Sequence, residues 1–94
     1  MQNKSVKMKL VESAHLPKDV SLGVPILRLN GYNELYVENY RGILEYTDEL
    51  IRVQTKIGQL HVVGKGLQIE FYSNDEMKII GKLEFLKFQQ GETK

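Results

Sequence analysis

Residues 58–66 read GQLHVVGKG, and whether they wrap a phosphate or turn a chain decides the fold. A phosphate loop needs Gly, four residues, then Gly-Lys-Ser/Thr, so that backbone N–H groups encircle a phosphate and a hydroxyl reaches Mg²⁺. Here five residues separate Gly58 from Gly64, and Lys65 is followed by Gly66, which has no hydroxyl. Leu60, His61, Val62 and Val63 are strand formers, and the LQIEFY that follows (67–72) reads as strand and not helix. Nucleotide binding is set aside. The alternative is a hairpin with Gly64-Lys65-Gly66 as its turn, the glycines supplying positive φ.

Working outward, the same grammar recurs. ILRLN (26–30) ends at Gly31, ELYVE (34–38) at Asn39, and GILEY (42–46) at Thr47-Asp48-Glu49. LIRVQT (50–55) runs to Lys56-Ile57-Gly58, LQIEFY meets Ser73-Asn74-Asp75, and EMKIIGKLEFLKF (76–88) closes the series. Short runs bounded by Gly, Asn, Asp or Ser predict an all-β domain of about seven or eight short antiparallel strands in a hairpin meander, sandwich-like or barrel-like. A gapless match also links ILEYTDELIRV (43–53) to IEFYSNDEMKI (69–79), with Ile43/Ile69, Tyr46/Tyr72 and Thr47/Ser73 aligned. Each copy reads as strand, polar turn and strand, and two copies are too few for a solenoid.

Alternation assigns faces. Ile51, Val53, Leu60, Val62, Leu67, Ile69, Phe71, Met77 and Ile79 share one face by period two. Arg52, Gln54, Gln68, Glu70 and Lys78 make the other face polar, yet Leu44, Val63, Ile80, Leu86 and Phe88 also fall on it. Such a face needs a covering layer or a partner protein, so these five form a candidate second-face interface. Gly81, midway in a long strand, predicts a bulge or bend.

The totals exclude several classes. Ninety-four residues make one domain with a modest core. A net charge of +1 argues against a nucleic-acid binder. The lack of cysteine removes disulfides, thiolate zinc sites and cysteine nucleophiles. No stretch of about 18 apolar residues could span a bilayer, and the start lacks a secretory apolar run, so the expected compartment is the cytoplasm. Residues 1–15 form a basic N-terminal segment, flexible or a short helix stopped by Pro17, with Lys4, Lys7 and Lys9 available for peripheral contact with an anionic membrane. Residues 16–88 are the β domain and 89–94 a flexible tail.

Chemistry is sparse. His15 and His61 are the only histidines, and neither has a partner at metal-ligand spacing. Asp48, Glu49, Asp75 and Glu76 fall in turns, where acidic side chains stabilise local backbone. No catalytic residue, cofactor or metal is expected. LYVENYRG (35–42) stands out instead: Tyr36, Glu38, Asn39, Tyr40 and Arg41 form a dense cluster of the types that carry binding hot spots, or else a hairpin corner packed by its tyrosines.

These residues also carry a likeness. Leu16-Pro17-Lys18-Asp19-Val20, the Pro25 strand ending at Gly31, and the Glu38-Asn39 corner leading into Gly42-Ile43-Leu44-Glu45-Tyr46 are its most specific pieces. With Gly58, Gly64, Gly66 and Gly81 they make residues 16 to 88 resemble the YabP/YqfC family of sporulation proteins of endospore-forming Firmicutes. Family members often have His where Tyr40 stands and Lys where Arg41 stands, so the corner needs a planar ring and a cation more than a titrating imidazole. The resemblance implies a small protein made in the mother cell, with no assigned enzymatic activity and a membrane-associated sporulation partner at the forespore surface. The residues themselves point to an interaction or self-assembling protein, a homo-oligomer among the outcomes. The alternative is a small ligand-binding or enzymatic barrel with Tyr36, Tyr40, His61 or Glu70 converging on a pocket.

Overall fold

A computed structural model describes residues 23–90. The chain forms β1 (Ile26–Asn30), β2 (Glu34–Glu38), β3 (Tyr40–Tyr46), β4 (Leu50–Thr55), β5 (Gly58–Tyr72) and β6 (Glu76–Gln89). All neighbours are antiparallel, in the order β1-β2-β6-β5-β4-β3. The expected all-β domain is present, with two differences. The strands number six among the described residues, and the order is not a plain meander. The basic segment 1–15 and Leu16-Pro17-Lys18-Asp19-Val20 lie outside the described residues.

One connection dictates the shape. β2 and β3 stand four places apart in the sheet but are joined by Asn39 alone. Four strand spacings in a flat sheet span about 19 Å, whereas two residue steps reach about 7 Å. The sheet therefore curls on itself. Its halves are β1-β2 with the start of β6 and the end of β5, and β3-β4 with the start of β5 and the end of β6. Leu35, Val37, Leu67, Met77 and Ile79 of one half pack against Ile51, Val53, Leu60 and Val62 of the other, all essentially inaccessible to solvent.

The curl is made inside β5 and β6. Gly64-Lys65-Gly66 is not a hairpin turn but a bend within a fifteen-residue strand. Of the two glycines only Gly66 has the expected positive φ, 60°; Gly64 serves the bend by its missing side chain. Register slips between Val63 and Gly64 and between Lys65 and Gln68. The N–H groups freed there donate to a neighbouring turn: Gly64 to Glu49 O at 3.1 Å and Leu67 to Asp48 O at 2.9 Å. On β6 the 31–33 turn does the same, Gly81 N–H reaching Asn33 O and Leu83 N–H reaching Tyr32 O. These four donors find acceptors in the two turns, as buried backbone requires. Gly81 is thus the bend its position predicts.

The bulges also move side chains between faces. Ile69 pairs with Ile79 but Phe71 pairs with Lys78, so Glu70 is an extra residue and Phe71 leaves the core face, 48% exposed. Phe85 pairs with Val63 and Leu83 with Gly64, which makes Glu84 a second extra residue. Leu86 and Phe88 then pair with the core residues Val62 and Leu60, and Leu86 packs on the core. Strict period two cannot see a bulge, and it placed both on the wrong side.

The matched segments 43–53 and 69–79 do form equivalent hairpins. Thr47 N–H donates to Leu50 O at 2.8 Å, and Ser73 N–H to Glu76 O at 2.7 Å.

The crossing leaves no space for a Cβ. One built on Gly64 meets the Lys82 carbonyl oxygen, and one on Gly81 (φ 137°) lies 2.7 Å from Gly66 O. Gly81→Ala and Gly64→Ala should each lower stability by about 1–3 kcal/mol, read from urea midpoints. Gly42→Ala, with nothing within 4 Å of the added carbon, should stay within about 0.5 kcal/mol of wild type.

Candidate functional site

The corner singled out in the sequence is built by Asn39. Its φ of 66° is the left-handed conformation that Asn tolerates, and it lets β2 pass into β3 without a loop. Asn39 N–H donates to Asp75 O at 2.6 Å, and its side-chain amide donates to Val24 O at 2.9 Å. The β5–β6 turn and the approach to β1 are thereby tied to one residue.

Tyr40 follows and points inward. It is buried, and its hydroxyl donates to the carbonyl of Ser73. Burial, then the neighbouring Tyr72 and Asp75, pushes its phenol above the ordinary value. Six residues on, the Tyr46 hydroxyl accepts from Ile69 N–H at 2.9 Å. Two tyrosines of β3 thus bridge to the backbone of β5 and of the turn just after it, closing the curled sheet where no strand ladder does. Two clefts flank the corner, about 540 Å³ between Arg41-Gly42-Ile43 and Tyr72-Ser73-Asn74 and about 270 Å³ toward Gly23 and Asp75.

Tyr36 is elsewhere. It sits on the outer face of the first half, with the Arg28 guanidinium 4.1 Å and the Lys78 ammonium 5.4 Å from its ring centre, an arrangement of the cation–π type. Lys78 also pairs with Glu70 at 2.9 Å and Glu34 at 3.5 Å. Its proton is held more tightly than usual, first by the Glu70 hydrogen bond and then by Tyr36. The Asn30 amide, then Lys78, lowers the Glu34 carboxyl. Glu38 and Asn39 are half-buried, and Arg41 is exposed. The five residues read as one cluster are divided between the outer face, the corner and the interior.

The second set divides too. Val63 and Ile80 are half-buried on outer faces, Leu44 is the extra residue of a β3 bulge, and Leu86 and Phe88 lie on the core side. Nor do Tyr36, Tyr40, His61 and Glu70 converge. His61 is on the outer face of the other half, its Nε2 3.3 Å from Gln59 Oε1, beside an Arg52 that binds Glu45 at 2.7 Å and Gln59 at 3.0 Å. Among the described residues no group of three His, Asp or Glu is placed to hold a metal. No described helix is long and apolar enough to cross a membrane. Lys4, Lys7, Lys9 and His15 fall outside the described residues.

Sequence reading missed the cluster at the opposite seam. Leu29, Tyr32 and Phe85 are exposed around an apolar cleft of about 260 Å³ that Leu83 and Leu86 floor. The outlying Phe85 would have been found by allowing one bulge after Gly81.

The bend glycines, the one-residue corner and the terminal strand all lie in the region that the YabP family model matches, residues 24–94. The chain belongs to the YabP family. It is also similar to YqfC of Bacillus subtilis strain 168, described as an uncharacterized protein, with 26% identity over 83 residues covering 88% of this chain and 89% of that one. No solved structure matches it. Membership agrees with the likeness carried by the corner and the glycines.

Removing the Tyr40 hydroxyl tests how much the corner contributes to the fold. Tyr40→Phe leaves the Ser73 carbonyl without its donor and should cost about 1–2 kcal/mol at neutral pH. The phenol's raised folded value means its contribution is complete below about pH 10, the unfolded value, and disappears as pH rises through the folded one. The gap between wild type and Tyr40→Phe in urea titrations should therefore narrow above pH 10.

Proposed function

We propose that this YabP-family chain is a non-catalytic sporulation protein of the mother cell, acting by self-assembly and by docking a membrane-associated partner at the forespore surface. The sporulation setting is what the family likeness implies. The molecular role is supported chiefly by one observation: the side chains suited to chemistry are engaged in holding the sheet, while exposed apolar residues gather at its seams. Tyr40 secures Ser73, Lys78 is shared by Glu34, Glu70 and Tyr36, and Arg52 is held by Glu45 and Gln59. Leu29, Tyr32, Phe85 and Phe88 remain available at one edge, the composition of an interface core. An open sheet edge with apolar neighbours also invites strand addition. The ligand-binding alternative has less support, since its four residues do not share a pocket.

The reading is tested in a sporulating endospore former carrying a fluorescent fusion of the full chain. The expected result is signal gathered along the mother-cell side of the forespore. Signal spread evenly through the mother cell would overturn the docking role.

A further inference from the structure

We propose that the free edge of β6, from Glu84 to Gln89, is a twofold self-association edge that takes the same edge of a second copy of this chain. This deepens the assembly reading above and rests on it. From Phe85 to Gln89, β6 is paired with β5 on one side, Phe85 opposite Val63 through Gln89 opposite Gln59. On its other side β2 reaches only Glu76–Ile80. The 31–33 turn captures the N–H groups of Gly81 and Leu83 and goes no further. Beyond that point no described strand covers the edge. Such an edge is a template for another chain unless it is guarded. This one carries no proline and is flanked by exposed Phe85 (54%) and Phe88 (40%).

The edge is complementary to itself. The apolar cleft lined by Leu29, Tyr32, Leu83, Phe85 and Leu86 lies at the start of this edge, and Phe88 stands two residues beyond Leu86. An antiparallel pair centred on Leu86 brings Phe88 of each copy to the bulge at Glu84 of the other, at the border of the other's cleft. The same pairing sets Phe85 opposite Lys87 on the outer face, an aromatic–cation contact, and leaves the two Lys87 side chains only diagonal to one another. Centring on Lys87 instead would face two lysines. Centring on Phe85 would carry Phe88 past the cleft to Lys82. A projection and a recess on opposite sides of a single residue of one edge are what an isologous twofold contact requires. The formal net charge of +1 sets no long-range repulsion between copies. The joined molecule would be one sheet running through both copies.

The test uses the full chain in light scattering from low micromolar to millimolar concentration. Mass should rise to twice the monomer value. Phe88→Glu, checked for an unchanged β-type circular dichroism spectrum, should weaken dimerisation at least about tenfold. Phe85→Lys, which would face the other copy's Lys87 with a like charge, serves as the second variant if Phe88→Glu fails to fold. Ile43→Glu, on the far edge strand β3, should leave the dimer unchanged. In a mixture of isotope-labelled and unlabelled wild-type chains, filtered NOEs should join Phe88 of one copy to Leu29 or Leu83 of the other. A monomer at every concentration, a dimer without those NOEs, or a dimer broken by Ile43→Glu and not by the β6 variants would overturn the proposal. A monomer that still gathers at the forespore would overturn self-association alone and leave partner docking standing.

Discussion

Where β5 bends at Gly64 to Leu67 and β6 bends at Gly81 to Leu83, two backbones lie against each other with no side chain between them. A Cβ on Gly64 would strike the Lys82 carbonyl, and one on Gly81 would sit 2.7 Å from Gly66 O. That contact folds a six-stranded sheet into two facing halves. Without it β2 and β3 would stand about 19 Å apart in a flat sheet, out of reach of the single residue that joins them. The core exists because the halves face: Leu35, Val37, Met77 and Ile79 have nothing to bury against until Ile51, Val53, Leu60 and Val62 are brought over them.

Bending a strand frees backbone donors, and the structure matches them with turns. Asp48 and Glu49 accept from β5, Tyr32 and Asn33 from β6, and Asp75 from the Asn39 corner. The side chains of these turns gave no hint of this, because the backbone carbonyls do the accepting. The curled sheet then closes through Tyr40 and Tyr46, whose hydroxyls meet Ser73 O and Ile69 N–H. A side chain in place of a ladder bond closes one seam. Among the described residues the opposite seam has no such device beyond Leu83, and there they leave the apolar cleft and the end of β6 open. The asymmetry between a closed and an open seam is what makes an interface at β6 a physical expectation.

Much of this was written in local pattern. Alternation identified the core members Ile51, Val53, Leu60, Val62, Leu67, Met77 and Ile79, and Asn39 and Gly81 announced their backbone roles. The bend at Gly64-Lys65-Gly66 was legible as a change of direction but not as its kind. A hairpin and an in-strand bend call for the same residues, and only the long-range pairing with β6 separates them. The faces of Phe71, Leu86 and Phe88 were lost to single-residue bulges at Glu70 and Glu84. The tyrosine-rich corner failed as a cluster for a simpler reason: Tyr36 and Tyr40 are separated by a left-handed residue that turns one outward and the other in. Membership of the YabP family came from residues spread over the chain, which is why it survived these local errors.

The most direct test of the bent-sheet account is a cross-strand NOE map of the chain in solution. The account predicts contacts joining Val62 with Leu86 and Ile69 with Ile79, the two ends of β5 meeting the two ends of β6, and none joining Val63 to Leu67 as facing residues. Strong Val63–Leu67 cross-strand contacts, with the β5 end unpaired from β6, would mean a hairpin at Gly64-Lys65-Gly66 and would contradict it.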